Sequence, residues 1–356
     1  MFFFGLAMLV EAISSVFAPV YIGNLIDRKS AIFVYKKILF IIIFLLLLVW
    51  IAGLFAEKEG LYIFLVYSIV SFFSPLQRLS QQSYFSYLSA SYNIKNVNAV
   101  HQMCVQFGQI FGLLLALFLV DNLEYSFLHL IAIGILFFSL LCVLRVNNVQ
   151  NILDIKRKDI NIGMLSAFNS LPKILSVVVV VSTFDYLIIS IFNLSLSLIS
   201  QGDVRGHAAT MAYFDISYAL GSIVVSYFIA RNLYISKHLV NVLFAYILIP
   251  LLFIALIQFQ AFAVKMMVIF MIGAFVSLSS VAFNTYIQLN VPLETIGRIL
   301  ALRRIILSIL LFLVINSLSG LHYFAERFYG FGLMVTIGCF ALIVLGAIVY
   351  VLRRGG

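Results

Sequence analysis

The chain has 356 residues, 64% of them hydrophobic and only 10% charged, with a net charge of +9. Its mean hydropathy is +1.16. No water-soluble domain is built from such a composition, so the chain belongs in lipid. Backbone groups in a bilayer need internal partners, which leaves helices or a closed barrel. Barrel strands alternate over about 10 residues, whereas the apolar runs here are unbroken and twice that length. The fold class expected is an all-α membrane protein.

A bilayer core takes about 20 apolar residues per helix. Eleven such spans are predicted, at 1–22, 38–56, 61–78, 98–120, 126–145, 174–199, 208–230, 239–258, 262–288, 299–321 and 328–352. The first is not a cleavable leader, because it lacks a basic start and carries Glu11 within its apolar stretch. Assigning alternate connections to two sides puts 18 of the 22 Lys and Arg on one side. That bias marks the cytoplasmic face and places the C-terminus there. The positive charge is therefore topology, and it argues against a nucleic-acid partner. Cys104, Cys142 and Cys339 fall within spans and read as small packing residues, with no metal-ligand spacing. No cofactor fingerprint, phosphate-cradling loop or metalloenzyme motif is present, so the sequence reads as a non-enzyme with no cofactor.

The chain repeats itself. Arg28, with Lys36 and Lys37 behind it, recurs as Arg231 with Lys237, and Tyr84 recurs as Tyr286, offsets of 203 and 202. Duplicated halves are a hallmark of transporter folds. Under this offset the second half has one span, 174–199, that the first half lacks. The domains expected are an N-terminal bundle (1–145) of five spans, a charged cytoplasmic linker (146–173) and a C-terminal bundle (174–356) of six. A six-plus-six plan without its first helix accounts for the count.

Gly23, Leu25, Asp27 and Arg28 form a pattern that resembles the signature loop of the major facilitator superfamily of secondary transporters. That loop follows helix two, which agrees with a missing first helix. The resemblance implies that Gly23, Asp27 and Arg28 form a gating loop between inward and outward states. Phe73-Ser74-Pro75, Gly108-Gln109-Ile110-Phe111-Gly112 and Asn284-Thr285-Tyr286 resemble the branch with enterobactin-type siderophore exporters and macrolide efflux proteins. The helix-five antiporter pattern departs here, because Leu113 and Ala116 follow Gly112 in place of proline and glycine. Gly108 and Gly112 themselves form a small-xxx-small pair suited to close helix packing.

Ionisable groups inside spans are costly and point to function. Asp185 is at the centre of its span. At about 100° per residue, Ser182, Asp185, Ser190, Asn193 and Ser197 share an arc of roughly 140°, a face suited to a wet central cavity. Asp215, with Tyr218 and Ser222 on one face, and Glu11 occupy related places in the repeat. Proton or substrate contact competes at each with simple pairing to a neighbouring helix. Two amide stripes, Gln102-Gln106-Gln109 and Ser277-Ser280-Asn284-Gln288, read mainly as interhelical hydrogen bonding, with Asn284 and Gln288 as further substrate candidates.

The function expected is proton-coupled efflux of a small amphiphilic molecule by a monomer in a bacterial cytoplasmic membrane, the setting that the branch resemblance implies. An importer or facilitator of the same fold, and a shortened, transport-inactive membrane protein, are the alternatives.

Overall fold

The computed structural model describes residues 2–53, 59–88, 92–119, 125–146, 163–199, 207–231 and 238–324, with 346 and 349. Every regular element among them is an α-helix. In chain order these are α1 (Phe2–Arg28), α2 (Ala31–Gly53), α3 (Glu59–Leu88), α4 (Ile94–Leu119), α5 (Tyr125–Leu144) and the short α6 (Met164–Asn169). They continue with α7 (Lys173–Val181), α8 (Thr183–Ile199), α9 (His207–Ala230), α10 (His238–Gln258), α11 (Phe262–Asn290) and α12 (Ile296–Phe324). Six stretches among the described residues are long and apolar enough to cross a membrane, with mean hydropathies from 1.3 to 2.7. The span expected at 328–352 and most of the charged linker lie outside the described residues.

Several helices run past the apolar stretch that predicts them. The expected loop at Gly23–Arg28 is the last turn and a half of α1, and only Lys29 and Ser30 connect it to α2. Nothing in Gly23-Asn24-Leu25-Ile26-Asp27-Arg28 forbids a helix, and the ladder continues with the Lys29 N–H donating to the Leu25 carbonyl at 2.8 Å. Ser30 then starts α2: its Oγ accepts the Phe33 N–H at 3.1 Å, an N-cap contact. Asn93 does the same for α4 through the Lys95 N–H at 3.2 Å. At the end of α5, Lys36 Nζ donates to the carbonyls of Leu144 (3.3 Å) and Val146 (3.2 Å), where a cation meets the negative end of the dipole.

The chain forms two compact units, one of residues 1–90, 115–170 and 291–308, the other of 91–114, 171–290 and 309–356. In the first, α1 and α2 pack on α3, and α2 also packs on α5. In the second, α9 and α10 pack on α11, joined by α7 and α8. The internal repeat is therefore visible in packing as well as sequence. α1-α2-α3 and α9-α10-α11 use the same partners, and α4 and α12 begin at Ile94 and Ile296, 202 residues apart. Each unit also takes a helix segment from the other sequence half. The start of α12 is tied to α1 by Asp27, and the start of α4 is tied to α11 by Asn98.

Close packing comes from glycines other than the expected pair. A Cβ at Gly221 on α9 would strike the Phe270 carbonyl of α11, and one at Gly273 on α11 would strike the Tyr218 carbonyl. Ser217 Oγ donates to the Met266 carbonyl (2.7 Å) and Ser226 bonds Ser277 (2.8 Å), so small residues let α9 and α11 zip together. Gly108 and Gly112 meet no described atom within 4 Å. Among the described residues both are on an exposed face of α4. Cys104 and Cys142 are likewise exposed rather than packed, and Cys339 is outside the described residues.

Candidate functional site

Asp27 is in the last turn of α1, five residues beyond the predicted apolar run, and it binds the start of a distant helix. Its Oδ1 accepts the Gly297 N–H at 2.8 Å and its Oδ2 the Arg298 N–H at 3.2 Å. These are first-turn amides of α12, whose N-terminal dipole favours an anion. The Arg298 guanidinium adds an ion pair, Nε to Oδ2 at 3.2 Å, with both side chains buried. Burial disfavours the charged form and pushes the Asp27 carboxyl up to about 7, against the opposing pull of the Gly297 N–H and of Arg298. Gly23 stands one turn back on α1, where a Cβ would lie 2.8 Å from the Ala301 Cβ and 2.9 Å from the Gly297 carbonyl oxygen. Gly23 and Asp27 thus act together on α12. Arg28 is exposed beside them.

The predicted span 174–199 is interrupted once, at Ser182, between α7 and α8. Hydroxyls turn back onto the chain there: Ser182 Oγ donates to the Val179 carbonyl and Thr183 Oγ1 to the Val180 carbonyl, each at 2.7 Å. Such back-bonding bends helices. Asp185 consequently occupies the first turn of α8. It does not line a wet face in this conformation, because it is 1% exposed. Tyr246 on α10 donates its hydroxyl to Asp185 Oδ1 at 2.7 Å, and Ser279 on α11 donates to the same oxygen at 2.6 Å. A carboxyl in an apolar interior needs such donors. Two helices, α10 and α11, supply them.

The remaining predicted residues scatter. Ser190 Oγ donates back to the Tyr186 carbonyl (2.9 Å), while Asn193 is exposed. Asp215 is half-buried one turn from the buried Tyr218, whose ring stacks on Phe192 at 5.1 Å. Asn284 Nδ2 reaches Ser280 Oγ at 3.5 Å. Gln288 Oε1 accepts from Asn98 Nδ2 at 2.7 Å, and that amide also contacts Thr285 Oγ1 at 3.1 Å. The side chain of Glu11 lies outside the described residues, although its backbone belongs to α1. Sequence reasoning missed Tyr246, Ser279 and the role of Asn98. A tyrosine alone in the apolar run of α10 was the available signal for the first. Among the described residues no group of three His, Cys, Asp or Glu could hold a metal ion.

Membrane-length helices, duplicated in order and packing, with a carboxylate bound to a helix start and an acid buried in the apolar interior, define a polytopic membrane protein of transporter type. The sequence profile of the Major Facilitator Superfamily matches residues 2–315, and the chain belongs to that family. No curated protein sequence matches it. The fold is similar to that of the E. coli fucose:proton symporter FucP, at 17% identity and a TM-score of 0.71, over 98% of this chain and 90% of that one. It is also similar to the proton:xylose symporter XylE (12%, 0.73, 99% and 86%). The human organic anion transporter MFSD10 is a third (10%, 0.70, 96% and 82%).

Proposed function

We propose that this protein is a secondary active transporter driven by protons, with Asp185 as the group that carries the proton. The observation that carries the reading is a carboxyl 1% exposed among membrane-length helices, held by hydroxyls from α10 and α11. Hydroxyl donors can serve a carboxylate or, by turning, a carboxylic acid, so the site suits either protonation state. Alternating access would come from two bundles, 1–145 and 174–356, rocking about a midplane site, with the Asp27 contact closing one end. Export of a small amphiphilic molecule from a bacterial cytoplasm is the preferred direction, on the motif resemblance to efflux proteins. Uptake is the second reading, favoured by the structural likeness to the two sugar:proton symporters.

The test is accumulation of ethidium, a permanently charged amphiphilic cation that a pH gradient alone does not trap, in inside-out vesicles carrying the full chain, measured against vesicles without it. Export predicts uphill accumulation that requires an inside-acid proton gradient and collapses with an uncoupler. Asp185→Asn should abolish that dependence. Gradient-driven accumulation undiminished in Asp185→Asn would overturn the assignment of the proton to this residue.

A further inference from the structure

Gln102 and Ser222 set the register between α4 and α9. Gln102 Nε2 donates to Ser222 Oγ at 3.4 Å, and Ser222 is fully buried. By the charge bias α4 runs outward and α9 inward, so four residues along α4 match four residues back along α9. That step, one turn or about 6 Å, brings Gln106 to the level of Tyr218. Asp215 follows three residues further along the same face of α9. Gln106 is 5% exposed, and its Oε1 has no hydrogen-bond partner among the described residues. Asp215 is half-buried and joins no ion pair among the described residues. Lys265 on α11 stands near its height, next to the Met266 carbonyl that Ser217 engages, yet lies beyond ion-pair distance.

A buried amide oxygen without a donor and a half-buried carboxylate without a cation are both uncompensated costs. One ligand group relieves both if it carries N–H donors and positive charge. A neutral polyol would satisfy the amide and leave the carboxylate uncompensated, while an anion would be repelled. We propose that the α4–α9 face outward of the Gln102–Ser222 contact binds the ammonium end of an amphiphilic organic amine. Asp215 is its counter-ion and Gln106 Oε1 its hydrogen-bond acceptor. The Tyr218 ring, fixed by its stack on Phe192, gives the site an apolar side for the hydrocarbon body. The proposal rests on the transport reading and names the substrate class for it.

The experiment is equilibrium binding of quinacrine, a fluorescent tertiary amine, to the purified full chain, alongside melting temperatures. Asp215→Asn and Gln106→Leu should each weaken binding about tenfold, the scale of one charge-assisted hydrogen bond. Gln109→Leu, on an exposed face of α4, should change nothing. A purely structural Gln106 gives a different result: Gln106→Leu would raise the melting temperature and keep quinacrine affinity, which overturns the proposal. Displacement by salicylate as effective as displacement by propranolol overturns the choice of a cation. Asp185→Asn should retain quinacrine binding while losing proton-driven accumulation. Binding lost in Asp215→Asn while Asp185→Asn still couples leaves this site standing and sinks the coupling assignment alone.

Discussion

Asp27 and Gly297 are 270 residues apart, yet the Gly297 N–H points at Asp27 Oδ1 from 2.8 Å. A Cβ at position 297 would stand only 2.5 Å from that oxygen and 2.8 Å from the Gly23 carbonyl oxygen. Gly297→Ala gains helix propensity worth up to about 1 kcal/mol. It also drives a methyl into a carboxylate and a backbone carbonyl, and overpacking of that kind costs about 1–3 kcal/mol. The clash should win. The expected result is a lower melting temperature and faster maleimide labelling of a cysteine placed at Ala301, which is fully buried. Unchanged labelling would mean that α1 and α12 separate without help from this contact.

The Asp27 contact should also respond to pH, and the sign is informative. Its carboxyl is raised from 3.8 to about 7 by burial, so the closed contact binds a proton that the open, solvated side chain does not. Closure is then favoured most below pH 4 and weakens progressively as pH rises from about 4 to 7, levelling off above that. A plain ion pair with Arg298 would behave oppositely and loosen in acid. Labelling at position 301, taken as a ratio to the same cysteine in the unfolded chain so that the thiol's own titration cancels, should therefore increase between pH 5 and 7.5, and Asp27→Asn should flatten that ratio. Labelling that increases on acidification would show that the ion pair, not desolvation, dominates.

Asp185 takes two hydroxyls on one oxygen, and each bond to a charged group is worth about 1.5–3 kcal/mol. Tyr246→Phe and Ser279→Ala should each lower unfolding stability by that order in the wild-type background. In Asp185→Asn the neutral amide oxygen is a weaker acceptor, so the same substitutions should cost less. A double-mutant cycle measured by thermal unfolding reads the difference directly. Additive effects would mean that the hydroxyls serve another partner.

These contacts show what the sequence carries and what it withholds. Apolar run length determines the spans, and the recurrence of Arg28 as Arg231 and Tyr84 as Tyr286 foretells that α1-α2-α3 and α9-α10-α11 pack alike. Asp27 was legible as a candidate site residue because four residues form a pattern, but its partner is a pair of backbone amides on α12, which no side-chain code records. Asp185 was conspicuous as a charge in an apolar run. Its donors were not, since any hydroxyl can bond a carboxylate and the chain holds 18 Tyr. Helical periodicity put Ser190 and Asn193 with Asp185 on what is one helix, α8, but their surroundings differ: Asp185 is buried, Ser190 bonds back to the Tyr186 carbonyl and Asn193 is exposed. Spacing also favoured Gly108 and Gly112, because a small-xxx-small pattern names a helix face without saying whether another helix covers it.

Glycines of the same apparent kind therefore differ in what surrounds them. At Gly221 and Gly273 the neighbour of an added Cβ is backbone, a carbonyl on the facing helix in both cases. Backbone cannot rotate away as a side chain can, so α9 and α11 must move apart. The Ser226–Ser277 bond and the Ser217 contact would be stretched with them. Gly221→Ala or Gly273→Ala should therefore destabilise by about 3 kcal/mol, at the upper end of overpacking costs, and reduce the folded yield in membranes. Gly108→Ala and Gly112→Ala meet open space and remove a flexible residue from a helix, so they should be neutral or stabilise by up to about 1 kcal/mol. Melting temperatures of the four single variants check this. If Gly108→Ala proves as damaging as Gly273→Ala, then α4 is covered by protein in the membrane, and the α9–α11 crossing loses its special standing.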